Sequence, residues 1–63
     1  MYKIIYVNVE TGVRLIEYGC KPYIQKRVFY LVQSEWAEIE QIFKLCRTWN
    51  IFKKCIRRDI LEG

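Results

Sequence analysis

The residues of this chain best suited to recognition chemistry are four cations. Lys53, Lys54, Arg57 and Arg58 are spaced as two pairs within the segment IFKKCIRRDIL. A row of cations can meet phosphate oxygens without reading bases. It can equally meet the carboxylates of an acidic protein surface, with the guanidinium groups making bidentate contacts. At about 100° per residue, a helix would put the four cations on one half of its circumference. Ile51, Phe52, Cys55, Ile56 and Ile60 would fall on the other half and form an apolar seat. A third reading is structural: the cations are the exposed flank of a C-terminal helix, and Arg57 and Arg58 complement its dipole. Lys26 and Arg27 extend the basic patch if that helix packs nearby. Asp59 falls among the apolar positions and fits none of these readings.

Catalytic chemistry finds little support. The chain has no histidine, the commonest general base. Its one serine, Ser34, reads as a helix cap. Gly12, Gly19 and Gly63 are isolated and form no phosphate loop. Glu35, Glu38 and Glu40 read as a solvated first turn of a helix. Cys20, Cys46 and Cys55 are odd in number, contain no CxxC pair and lack imidazole partners, so no metal site is expected. Neighbouring bases would lower the pKa of a Cys55 thiol. A small apolar seat residue is the stronger reading of that cysteine. The expectation is a non-enzyme with no cofactor and no small-molecule substrate.

The elements that would carry these residues follow from periodicity. YKIIYVNV (residues 2–9) is rich in β-branched and aromatic residues and predicts a strand. Glu10-Thr11-Gly12 is a three-residue loop with Gly where a left-handed conformation is needed. VRLIEY (13–18) predicts the returning strand of an antiparallel hairpin. Gly19 to Pro22 reads as a break. YIQKRVFYLVQ (23–33) then reads as a third strand, with Ile24, Val28, Tyr30 and Val32 on one face. Ser34 opens an amphipathic helix over residues 34–49, with its apolar half at Trp36, Ile39, Ile42, Phe43, Leu45, Cys46 and Trp49. The apolar stripe of residues 51–60 is rotated from that of residues 36–49 by about 120° on a straight helix. A break capped by Asn50 and a second short basic helix are therefore expected. A terminal strand is the competing reading, with Ile51, Lys53, Cys55, Arg57 and Asp59 on one face and Phe52, Lys54, Ile56, Arg58 and Ile60 on the other, neither cleanly apolar.

The resulting fold class is α+β: a three-stranded antiparallel β-meander, then an amphipathic helix, then a second short basic C-terminal helix. Residues 1–63 form one small domain. The composition is that of a folding chain, 52% hydrophobic and 16% aromatic, with a net charge of +4. A chain this short buries only about 60% of its unfolded surface. Surplus apolar surface is therefore expected, and with it self-association. Tyr2, Tyr6, Trp49, Phe52, Ile56 and Ile60 are the candidate interface residues. No run of residues is apolar and long enough to span a membrane, no leader is visible, and the free thiols suit a reducing cytoplasm. The general character resembles small phage-encoded proteins that inhibit a host enzyme or defence system. The function expected is a protein-binding module, a homodimer that occludes or bridges a larger partner with an acidic surface. The alternative is a nucleic-acid-binding module using the basic C-terminal helix on phosphates.

Overall fold

A computed structural model describes residues 1–46, 51–55, 60 and 61. Strand β1 (Tyr2–Asn8) and strand β2 (Arg14–Gly19) form the expected antiparallel hairpin. The Asn8 Oδ1 atom accepts from the amides of Glu10 and Thr11, which bends the loop. Gly12 closes it at φ +77°, a conformation that suits glycine.

Beyond the hairpin the expected elements change places. Residues 21–33, read as a third strand, are helix α1 (Lys21–Gln33). Pro22 does not break the chain there. It lies in the first turn of α1, where a missing N–H costs nothing. The core residues Ile24, Val28 and Leu31 follow helical spacing and are wholly buried. Tertiary burial outweighs the β propensity of Tyr23, Val28, Phe29 and Val32. Ser34 ends this helix instead of opening the next one. Its hydroxyl donates to the Tyr30 carbonyl and its amide to that of Leu31.

The amphipathic helix expected over residues 34–49 is instead strand β3 (Ala37–Cys46). The misleading feature is a β-bulge. Ile5 pairs with Gln41 and Tyr6 with Ile39, so Glu40 is the extra residue. The bulge shifts the period-2 alternation by one. Ala37 and Ile39 face α1 before it, Ile42 and Lys44 after it. Ile39 and Ile42 thus reach one face at a spacing of i, i+3, which in sequence imitates a helix.

Strand β4 (Ile51–Cys55) pairs antiparallel with β3, from Cys46 opposite Ile51 to Ile42 opposite Cys55. The terminal-strand reading holds for these residues, and the second basic helix is corrected there. The Asn50 cap and residues 56–59 of that expectation lie outside the described residues. Ile60 and Leu61 are helical.

The sheet order is β2-β1-β3-β4, with every neighbouring pair antiparallel. The described architecture is therefore α+β with four strands and one helix, not a three-stranded meander. Helix α1 covers one face. Its Ile24, Val28 and Leu31 meet Ile4, Tyr6, Ile42 and Ile60. The Gln25 side-chain amide donates to the Ile60 carbonyl and holds that returning segment beside α1. Trp36 stands edge-on to both Tyr6 and Tyr30, at ring-centroid distances of 6.2 and 6.5 Å. It thereby joins the end of α1 to the sheet.

Ile24 and Val32 would share a face in a strand, but in α1 only Ile24 is buried; Val32 is 48% exposed. Chemical denaturation is expected to show Ile24→Ala losing about 2–4 kcal/mol, and Val32→Ala less than about 1 kcal/mol. Equal losses from both substitutions would contradict the helix.

Candidate binding face

Two arrangements of polar and aromatic groups stand out, one on each side of the sheet. On the helix side, Glu17 of β2 is the common acceptor. It takes hydrogen bonds from the Tyr6 and Tyr23 hydroxyls and a two-point contact from Arg27, with both N···O distances 2.9 Å. Burial alone would raise the Glu17 pKa. The hydrogen bonds from Arg27, Tyr6 and Tyr23 outweigh burial and hold it below the ordinary carboxylate range. Tyr6 shifts upward, first through its own burial and then through its bond to Glu17. The Arg27 guanidinium also lies 5.2 Å from the Tyr30 ring centroid. Gly19 keeps the backbone close enough for this arrangement. A Cβ there would come within 2.4 Å of the Tyr23 ring.

On the other side no helix covers the sheet among the described residues. Register places Lys3, Ile5 and Val7 of β1 on this uncovered face, with Arg14, Ile16 and Tyr18 of β2 beside them. Phe43 and Leu45 of β3 and Phe52 and Lys54 of β4 continue it. At one end the Lys3 ammonium lies 4.9 Å from the Phe43 ring centroid and 5.0 Å from that of Phe52. The Tyr18 and Phe52 rings approach to 6.0 Å. This is a cation set among aromatic rings, a geometry that holds the charge within an apolar surface. At the other end the Arg14 Nε bonds Glu40 at 2.7 Å beside a shallow groove lined by Ile5, Val7, Glu38 and Gln41.

The expected basic ladder is not assembled as a ladder. Lys53 and Lys54 are neighbours on a strand and point to opposite sides of the sheet. Lys54 joins the uncovered face. Lys53 lies on the helix side, directly across from Lys44. Lys26 is exposed on α1, on the far side of the sheet from Lys54, beside a shallow hollow with Phe29, Tyr30 and Leu61. Arg27 is engaged by Glu17. Among the candidate interface residues, Tyr6 and Ile60 are in the core and Tyr2 packs against it, so none of the three offers a contact surface. Phe52 is half-buried on the uncovered face. Arg57, Arg58, Trp49 and Ile56 lie outside the described residues.

Sequence reasoning missed Lys3, Phe43 and Glu17. Lys3 shares its parity with Ile5 and Val7 in β1, a signal that this apolar-looking face is not closed over. Cys20 is exposed and free, and no cluster of metal-ligating residues occurs among the described residues. No helix is long and apolar enough to cross a membrane among them.

Compared with known proteins, the chain matches no protein-family model, no curated protein and no solved structure. The functional reading therefore rests on geometry.

The Glu17 contacts have a testable pH signature. Its lowered folded-state pKa gives stability that is fully present above the unfolded value of about 4.3 and is lost as pH falls through the folded value. Glu17→Gln is expected to cost about 2 kcal/mol at neutral pH and to flatten the loss of stability below about pH 4. Denaturation midpoints measured from pH 7 to pH 2 check both. A variant whose acid profile matched the parent chain would contradict the role of Glu17.

Proposed function

We propose that the chain is a non-enzymatic protein-binding module that docks a larger partner on the uncovered face of its sheet and acts as a homodimer. The observation that supports this reading is the composition of that face: Ile16, Tyr18, Phe43, Leu45 and Phe52 surround the cations Lys3 and Lys54. Ile16 and Tyr18 are 53% and 54% exposed. Aromatic side chains with embedded cations are enriched where interfaces form, because they bury large areas at small entropic cost. The partner chemistry that fits is an apolar protein patch bearing carboxylates. Occluding or bridging such a surface would make the chain an inhibitor of the kind phages direct at a host enzyme or defence system. The free, exposed Cys20 suits the reducing cytoplasm as its setting.

One observation favours a second reading, nucleic-acid binding. Rings flanked by lysines on an antiparallel sheet can stack unpaired bases while the cations meet phosphates. This version uses the sheet, not a basic helix. Charge weighs against it. Arg14 is paired with a carboxylate, and Lys3 is set against rings. Few described cations on this face therefore remain to neutralise a backbone.

The immobilised chain is expected to retain a discrete protein from lysate of its source cell, and Phe43→Ala with Lys54→Glu is expected to lower retention at least about tenfold. Fluorescence anisotropy with labelled single-stranded DNA and RNA is expected to show no binding at low salt. Binding that weakens steeply with salt, with no protein retained, would replace the first reading by the second.

A further inference from the structure

We propose that a second copy of this chain joins along the outer edge of β2, in antiparallel register, with Ile16 on the twofold axis. The inference deepens the homodimer of the proposed function and rests on that reading only for the docked partner.

The sheet order leaves β2 and β4 as edges, and among the described residues no further strand pairs with either. The hairpin fixes which backbone groups of β2 point outward. The Asn8 amide donates to the Val13 carbonyl at 2.9 Å. Antiparallel pairs alternate between bonded and non-bonded. Leu15, Glu17 and Gly19, opposite Tyr6, Ile4 and Tyr2, therefore address β1. Arg14, Ile16 and Tyr18 turn their N–H and C=O groups away from the sheet.

Edges are ordinarily guarded by lysine, proline or a bulge. Strand β4 carries the exposed Lys54, so two copies meeting there would bring like charges together. Strand β2 has no such guard. Its two charges are already satisfied within the chain, Arg14 by Glu40 at 2.7 Å and Glu17 by Arg27 at 2.9 Å. Its remaining side chains are apolar and open: Leu15 is 38%, Ile16 53% and Tyr18 54% exposed. On a chain of net charge +4, this is the edge where a like-charged copy meets least repulsion.

Self-complementarity then sets the register. All three outward residues find outward partners within β2 only if Ile16 faces the partner's Ile16, Arg14 the partner's Tyr18, and Tyr18 the partner's Arg14. Each such pair exchanges both of its N–H···O bonds. The same register keeps both helices on one side and makes the two uncovered faces continuous. The two Ile16 side chains meet on the axis, while Tyr18 and Arg14 keep their contacts to Phe52 and Glu40 within each copy. An isologous contact closes on itself, whereas joining β2 to β4 would run on as a filament.

Sedimentation equilibrium across a concentration series is expected to show a reversible dimer. Ile16→Lys sets two like charges face to face on the axis and is expected to raise the dimer dissociation constant at least tenfold. Val32→Ala, exposed on α1 and distant from either surface, is expected to leave it unchanged. Because the residue opposes its own copy, mixing Ile16→Lys with Ile16→Glu is expected to restore a dimer that neither forms alone. This rescue does not arise from misfolding. A strictly monomeric parent chain, or a dimer indifferent to Ile16→Lys with the fold retained, would overturn the inference. A monomer that still retains a protein partner overturns this inference and the homodimer but not the docking reading, and a β2-edge dimer that retains none overturns the docking reading alone.

Discussion

One helix has to serve a four-stranded sheet, and most of the structure follows from that constraint. A single α1 can cover only one face, so all the wholly buried side chains gather there: Ile4, Ile24, Val28, Leu31 and, with slight exposure, Ile60 and Ile42. With so small a core, the angle at which α1 sits matters. Glu17 fixes it. One carboxylate on β2 takes donors from β1, from the first turn of α1 and from its middle, and so ties three elements at one point. Charge-assisted bonds of this kind are stronger than neutral ones, and losing the acceptor would leave Tyr6 without its partner beneath the helix.

Among the described residues, the same constraint leaves the opposite face uncovered and both outer strands without a further neighbour. A sheet face open to water would normally alternate to polar residues. Here it keeps Ile16, Tyr18, Phe43, Leu45 and Phe52, and Lys3 at one end is set among rings. Exposed apolar surface of this extent on a small chain costs solubility and is retained where it is used. The two edges differ in kind: β4 is charged, while β2 is apolar with its charges cancelled internally. Partner face and self-association edge therefore meet at Ile16 and Tyr18, which belong to both.

The hairpin of β1 and β2 was legible because its signals are local. β-branched runs, a three-residue loop and Gly12 all act within a few residues. The middle of the chain was not legible, for identifiable reasons. Pro22 reads as a break unless it is known to occupy a first helical turn. Ser34 caps either end of a helix equally well on paper, and only the partner of its hydroxyl decides. The bulge at Glu40 converts a strand's alternation into a helical spacing, so Ile39 and Ile42 indicated the wrong element. For residues 51–55 the choice depended on pairing with β3, a contact no window of sequence contains. With the strand assignment, the apparent ladder separates into Lys54 on the uncovered face and Lys53 on the helix side. The candidate site moved accordingly, from two pairs of cations in one segment to residues drawn from every strand.

Amide hydrogen exchange of the unmodified chain, followed residue by residue at low and high protein concentration, tests the central claim most directly. That claim is that the β2 edge and the uncovered face beside it form a contact surface. The outward amides of Arg14, Ile16 and Tyr18 are solvent-facing in a single copy and bonded in a dimer, so their exchange should slow markedly as concentration rises, while the amides of Lys53 and Lys54 on β4 keep their rates. Exchange at Arg14, Ile16 and Tyr18 that stayed fast at every concentration, or protection that appeared along β4 instead, would contradict it.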